Sequence, residues 1–271
     1  MTIQAEQTVG EIAAASLAAV RVFEKRGIDF CCGGKRPLGE TCRQMGIDEA
    51  ALRAELEEAM AGPKDSEKDW TAAPLAELVQ YIQSKHHEYL KQELPRIHER
   101  LEKVMRVYGE RGQAPPQELP QVYSALRQEL EGHLQKEEMI LFPFIEQNEA
   151  ASRTGGAAPH SCFGTIRSPL RVMEAEHDNA GEALRKMRRL ANDYVAPEYA
   201  CNTYRAMLAG LLVLERDLHA HIHLENNRLF PRALALETQQ SVGATSAWSL
   251  PGSSDAIVET GGEVMHGTLL L

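Results

Sequence analysis

HLQKEEMILFP at residues 133–143 returns, little changed, as HIHLENNRLFP at residues 221–231. Aligned, the two phrases pair His133 with His221, Glu137 with Glu225, Leu141 with Leu229, Phe142 with Phe230 and Pro143 with Pro231. Positions i and i+4 of an α-helix share a face, so each phrase projects one imidazole and one carboxylate together. The repeat has an upstream half. SKHHEYL places His87 beside Glu88, and EAEHDNA places His177 beside Asp178, 46 and 44 residues ahead of their HxxxE partners (133−87 and 221−177). Each half reads as a helical hairpin giving a lone histidine from its first helix and a His/Glu pair from its second.

Two such hairpins related by a pseudo-twofold axis gather four imidazoles and two carboxylates. That set suits a dinuclear site in which each metal takes two histidines and the glutamates bridge. Imidazole with carboxylate is compatible with iron, manganese or zinc, and bridging carboxylates with open coordination positions favour two iron ions. A single HxxxE is weak evidence, because a lone helical histidine is more often a surface or hydrogen-bonded residue. Its duplication with a matched upstream histidine makes the pattern specific.

Two assignments stay open on spacing alone. His86 continues the apolar stripe of Leu75, Val79, Ile82 and Leu90 better than His87 does, and His219 with His223 forms a rival i, i+4 pair. The repeat alignment favours His221 with Glu225. His98, His160 and His266 have no matching partner and read as solvent-facing, while Leu141, Phe142, Leu229 and Phe230 read as core.

The rest of the chain sets the frame. Its 271 residues can bury a sizeable core, and with 25% charged and 43% hydrophobic residues it reads as a soluble globular protein without a membrane span. The N-terminus lacks the basic-then-apolar pattern of a secretion signal, so a cytoplasmic location is expected. A net charge of −10 argues against nucleic acid as a partner. Five cysteines, two of them adjacent, make no disulfide framework.

Long helical patterns are expected over 74–109, 117–148, 168–195 and 198–236, giving an all-α, up-down four-helix bundle. Pro95 should kink or divide the first of these helices. Residues 1–61 read as a small helical N-terminal domain, with Thr8 and Glu11 spaced as a capping box, one helix running to Arg26 and Gly27 ending it. Residues 62–73 read as a linker and 237–271 as a disordered tail.

IDFCCGGKRPLGE, at 28–40, forms a turn between helices of the N-terminal domain. Glycine-freed amides with Lys35 and Arg36 nearby would favour thiolate at Cys31 and Cys32; the alternative is a pair of buried thiols filling the turn. A bond between adjacent cysteines would be strained and easily reduced. Cys42, Cys162 and Cys201 read as structural.

HLQKEEMILFP, HIHLENNRLFP and EAEHDNAGE resemble the hemerythrin-like HHE domain. DFCCGGKRPL ahead of it is similar to the N-terminal module of the Repair of Iron Centres family, the YtfE and ScdA type, as is KDWTAAPLAELVQYI at the entry to the bundle. The resemblance covers about residues 8 to 236. It implies a hemerythrin-like bundle with a non-haem di-iron centre that restores iron-sulfur clusters damaged by nitric oxide or oxidants, a stress-response role whose partners are the damaged iron-sulfur proteins. It implies His87, His133, His177 and His221 as terminal iron ligands and Glu137 and Glu225 as bridges, deciding for His87 over His86. It further suggests Glu129 and Glu176 as acidic residues along an iron path, and a functional role for Cys31 and Cys32 in thiol exchange or in handling iron in transit. Resemblance alone points to a homodimer through the N-terminal module. The insert around GGAAPHSCFGTIRS and the tail depart from the family pattern.

The leading expectation is iron donation from a labile di-iron centre, with the repair factor ahead of a turnover enzyme. Its rivals are a di-iron nitric oxide reductase and a hemerythrin-like module that senses nitric oxide or O2 at open positions. The missing fifth histidine of oxygen-carrying hemerythrins, together with the Cys-Cys module, argues against simple oxygen carriage.

Overall fold

The computed structural model describes residues 3–61, 70–156, 159–161 and 163–246. Their fold is all-α: among them there is no strand, and no helix is long and apolar enough to cross a membrane.

The N-terminal region holds four helices. In α1 (Val9–Ala15) the Thr8 hydroxyl accepts the Glu11 amide at 3.1 Å while the Glu11 carboxylate accepts the Thr8 amide at 2.9 Å, the reciprocal cap read from sequence. The helix does not run on to Arg26 as expected. Ser16 is extended and its hydroxyl caps a second helix, α2 (Leu17–Arg26), by accepting the Ala18 amide at 3.2 Å; a serine side chain competes well for such orphan amides. Gly27, left-handed at φ 66°, then closes α2. Two more helices, α3 (Leu38–Met45) and α4 (Glu49–Ala61), complete a core of Ile12, Phe23, Phe30, Leu38, Leu52 and Leu56.

Four rods follow. The first is α5 (Leu75–Ile82), a turn at Gln83–His87 and α6 (Glu88–Gly109); the second is α7 (Glu118–Lys136), a turn at Glu137–Leu141 and α8 (Phe142–Thr154). The third is α9 (Arg167–Leu190), and the fourth is α10 (Asn202–Leu224), a turn at Glu225–Leu229 and α11 (Phe230–Ser246). Their order matches a hemerythrin-like bundle, with α6 against α10 and α7, and α7 against α9.

Three expectations change. Pro95 does not divide its rod, since α6 runs through it. The third helix stops at Leu190, and Asn192, Asp193 and Tyr194 take positive φ of 49°, 53° and 61°, a left-handed run that non-glycine residues adopt only when held. The Tyr194 hydroxyl donates to the buried Glu215 carboxylate at 2.8 Å, which Arg188 also grips at 2.6 Å. The last helix reaches Ser246, past the bundle end expected at 236; the expected tail beyond 246 and most of the linker (62–69) lie outside the described residues.

The three turns within rods are π turns. The Glu88, Phe142 and Phe230 amides donate to the carbonyls of Gln83, Glu137 and Glu225, five residues back. Pro143 and Pro231, two residues beyond the second and third turns, have no N–H to continue the regular ladder. A π turn adds one residue and re-aims side chains, and such turns gather at functional sites.

The bundle core is split in two. One apolar cluster contains Leu90, Leu130, Leu134, Leu218 and Ile222, continuous with the N-terminal core. The other contains Ile82, Leu141, Phe142, Met173, Leu229 and Phe230. Between them in every rod lies a polar level: His86 and His87, His133 and Glu137, His177, His221 and Glu225, all buried.

Candidate metal centre

The π turns aim this level inward. Glu137 and Glu225 open the second and third, and His87 closes the first. The extra residue re-aims the side chains of this turn, and both His86 and His87 are buried.

All six candidate ligands converge. One group comprises His87, Glu137, His221 and Glu225, a second His133, Glu137, His177 and Glu225, each with its ligand atoms within 4.8 Å of one another. Each group draws one histidine from each hairpin, and both carboxylates belong to both groups. Glu137 Oε2 stands 3.5 Å from His87 Nε2 and 3.3 Å from His133 Nε2. Glu225 reaches His177 Nε2 at 3.2 Å through Oε2 and His221 Nε2 at 2.8 Å through Oε1.

Protein atoms alone leave this level unbalanced. Both Glu137 oxygens, Glu225 Oε2 and His221 Nδ1 are buried without a hydrogen-bond partner, a costly state for carboxylates between two apolar layers. His87 Nε2 lies 3.2 Å from His221 Nε2, and His133 Nε2 lies 3.1 Å from His177 Nε2. On three of these rings Nδ1 faces a side-chain oxygen: His87 to Glu138, His133 to Glu176 and His177 to Asn226, each at 2.8 Å. Those oxygens hold a proton on Nδ1 and turn the Nε2 lone pairs inward, where they oppose one another unless a cation lies between. Burial works against a charged His133, yet the carboxylates of Glu137, Glu225 and Glu176 together outweigh it and raise the imidazole to about 9. Burial likewise opposes an ionised Glu225, but His221 and His177 hold its carboxyl well below the usual range. The level calls for positive charge, and its N/O donors fit two metal ions.

Glu138 and Asn226 escaped the sequence reading, although they occupy the same repeat position, directly after each glutamate; Glu176 was expected only as a residue of an iron path. The apolar residues of the repeat also do more than fill space. Phe142 stacks on His87 at 5.5 Å and Phe230 on His177 at 5.9 Å. His86 stacks flat on His221 at 5.4 Å and bonds Asp217 through Nδ1 at 2.9 Å, outside the ligand groups. His223 turns away from the centre to meet Phe30 of the N-terminal module edge-on at 5.4 Å, and burial drops its imidazole to about 3. His98 is half-buried, stacked against Tyr123, so it is not simply solvent-facing; His160 is exposed, and His266 lies outside the described residues.

Glu129 and Glu176 are not in the ligand groups. Both line a cavity of about 10 Å³, the room of one water, that ends on His133, His177 and His221. Glu129 is exposed; Glu176 is half-buried, bonding His133 and paired with Lys136.

Cys31 and Cys32 lie against the centre. Their sulfurs are 3.7 Å apart, and the Cys32 thiol donates to the His177 carbonyl at 3.1 Å. The expected thiolate support from Lys35 and Arg36 is not seen: Lys35 pairs with Glu174 at 2.8 Å and Arg36 bonds Gln44 at 3.0 Å. The hydrogen bond with Cys32, together with burial, pushes the Cys31 thiol well up. Cys42 is buried, as a structural thiol would be. Cys201 is exposed at the N-terminus of α10, where the Tyr108 hydroxyl and helix amides bring its thiol down to about 7. Cys162 is outside the described residues.

Comparison with known proteins points the same way. Residues 78–233 match the Hemerythrin HHE cation binding domain, and residues 5–60 match ScdA_N, a domain of unknown function (DUF542). The chain is 40% identical over 228 residues to the iron-sulfur cluster repair protein YtfE of Yersinia pseudotuberculosis serotype IB, covering 84% of this chain and 96% of that one. It is 39% identical over 229 residues to its counterpart in Pectobacterium atrosepticum, covering 84% and 97%. Both domains in order, and similarity along nearly the whole length of these relatives, establish that the chain belongs to the YtfE-type iron-sulfur cluster repair protein family.

Proposed function

We propose that this chain restores damaged iron-sulfur clusters by giving up iron held in the bundle, as the names of its relatives indicate for them. In this reading His87 and His221 hold one iron ion, His133 and His177 hold the other, and Glu137 and Glu225 bridge them. The observation that carries it is that both buried glutamates belong to both ligand groups and have oxygens without hydrogen-bond partners. Bound there, iron would supply a cargo ion and open positions for small ligands such as nitric oxide or O2.

The protein's own groups account for holding and release. Glu138, Glu176 and Asn226 keep the imidazoles turned inward, and the two apolar layers exclude water from the donors. A small cavity interrupts this seal at His133, His177 and His221, and the carboxylates of Glu129 and Glu176 that line it would draw a cation outward. The partners are then damaged iron-sulfur proteins in a reducing, cytoplasmic setting.

The test is recovery of a nitric-oxide-damaged iron-sulfur dehydratase by the iron-loaded protein, with no other iron added. The intact protein should restore activity and the His133→Ala/His221→Ala variant should not. No recovery from an intact protein carrying two irons would reject donation and leave nitric oxide reduction or sensing. Full recovery by a Glu129→Gln/Glu176→Gln variant would remove the path role of those two residues.

A further inference from the structure

The dithiol turn is more ordered than a thiol pair that merely fills space. Asp29 Oδ1 accepts the amides of Cys31 at 3.1 Å and Cys32 at 2.9 Å, and lies 3.4 Å from Cys31 Sγ. Its other oxygen is gripped by Arg185 of α9 at 2.9 Å, so Oδ1 is left facing the sulfurs. Two thiolates on a tetrahedral ion with metal–sulfur bonds near 2.3 Å stand about 3.8 Å apart, and a thiolate and a carboxylate oxygen about 3.5 Å apart. The observed separations are 3.7 and 3.4 Å. A disulfide would need the sulfurs about 2.05 Å apart.

The fold also brings this turn hard against the dinuclear level. Asn226, whose oxygen orients His177, turns its amide nitrogen to the Cys31 carbonyl at 3.5 Å. Gly181, one helical turn beyond His177, admits the loop: a Cβ there would lie 2.7 Å from Cys32 Sγ.

We propose that Asp29, Cys31 and Cys32 form a third metal site, taking one thiolate-preferring divalent cation such as ferrous iron, with one coordination position open. Binding releases the two thiol protons to solvent as the sulfurs become ligands. Sulfur ligation separates this site chemically from the N/O centre in the bundle, and contact through His177 and Asn226 places it beside that centre. Its use as a handover point for outgoing iron rests on the donor reading; its existence does not.

Cobalt(II) is the probe. The reduced His133→Ala/His221→Ala chain should bind one equivalent with a thiolate-to-cobalt charge-transfer band, and adding Cys31→Ser/Cys32→Ser should abolish the band. Asp29→Asn should keep the band and weaken binding by about tenfold or more, since even a partner that only orients a ligand is worth about 10–100-fold. In the intact chain the same band should account for one of three equivalents, which keeps the test valid if the double-alanine variant does not fold. Absence of the band in the intact reduced chain, or its survival in the double-serine variant, would overturn the site while leaving cluster repair by the bundle to stand or fall on the dehydratase assay.

Discussion

The two hairpins carry the same ligands and orient them differently. In the first hairpin His87 and His133 lean on carboxylates, Glu138 and Glu176; in the second His177 leans on the neutral amide of Asn226, and His221 Nδ1 has no hydrogen-bond partner. The pattern extends one residue further. Met139 is 68% exposed, while its repeat counterpart Asn227 donates to the Phe30 carbonyl at 3.3 Å. The reason is the N-terminal module, which packs on the second hairpin. A carboxylate at position 226 could orient His177 but has no N–H for the Cys31 carbonyl; an amide does both. Duplication preserved the groups that would meet metal and let their supports diverge where only one half has a neighbour.

Equivalence of the two halves at the bridges makes the largest prediction. Chelating the metal should lower the melting temperature by roughly 5–10 °C, taking about 2.7 kcal/mol of linkage at a hundredfold excess over Kd and about 2–4 °C per kcal/mol for a domain of this size. In a Cys31→Ser/Cys32→Ser background, which removes the dithiol site, Glu137→Ala and Glu225→Ala should each reduce the metal held by the bundle from two per chain to less than one, measured by elemental analysis. Full retention in one variant alone would show that only one carboxylate bridges.

The supports should separate the halves. Glu138→Gln should weaken metal binding by about 10–100-fold, read by competition with a chromophoric chelator. Asn226→Asp should leave that affinity within a few-fold but expose residues 28–34 to hydrogen exchange, because the Cys31 carbonyl then faces a carboxylate. Loss of metal without loosening of the loop would refute the dual role of Asn226.

Crowding at the junction comes next. Gly181→Ala should cost about 1–3 kcal/mol as an overpacked contact, seen in denaturant unfolding together with faster exchange near Cys32. The smallest effect is a gain: Gly132, inside α7, has nothing within 4 Å of an added Cβ, so Gly132→Ala should stabilise by about 0.5–1 kcal/mol. Equal effects at the two glycines would mean that the loop does not press on α9.

Much of the molecule is written in local pattern. The i, i+4 spacing, its duplication and the upstream histidines were enough to name five residues that the fold brings together and to narrow the sixth to His86 or His87, because helical geometry converts spacing into shared faces. The length of apolar periodicity gave four rods for the same reason. Spacing could not choose between His86 and His87, since a π turn slips the register by one residue within an otherwise regular helix and leaves no reliable mark at Gln83–His87. Nor could it foresee the left-handed turn at 192–194, which depends on a distant Glu215.

The sequence by itself determined the all-α class, the repeat and five of the six convergent donors, which follow from spacings of a few residues; His87 over His86 came from the family resemblance. Only the tertiary structure decided how the histidines pair across hairpins, which oxygen orients each ring, and that the dithiol turn meets His177 through Cys32. Those relations join residues up to 145 positions apart, as Cys32 and His177 are. Packing sets them, and no local period encodes them.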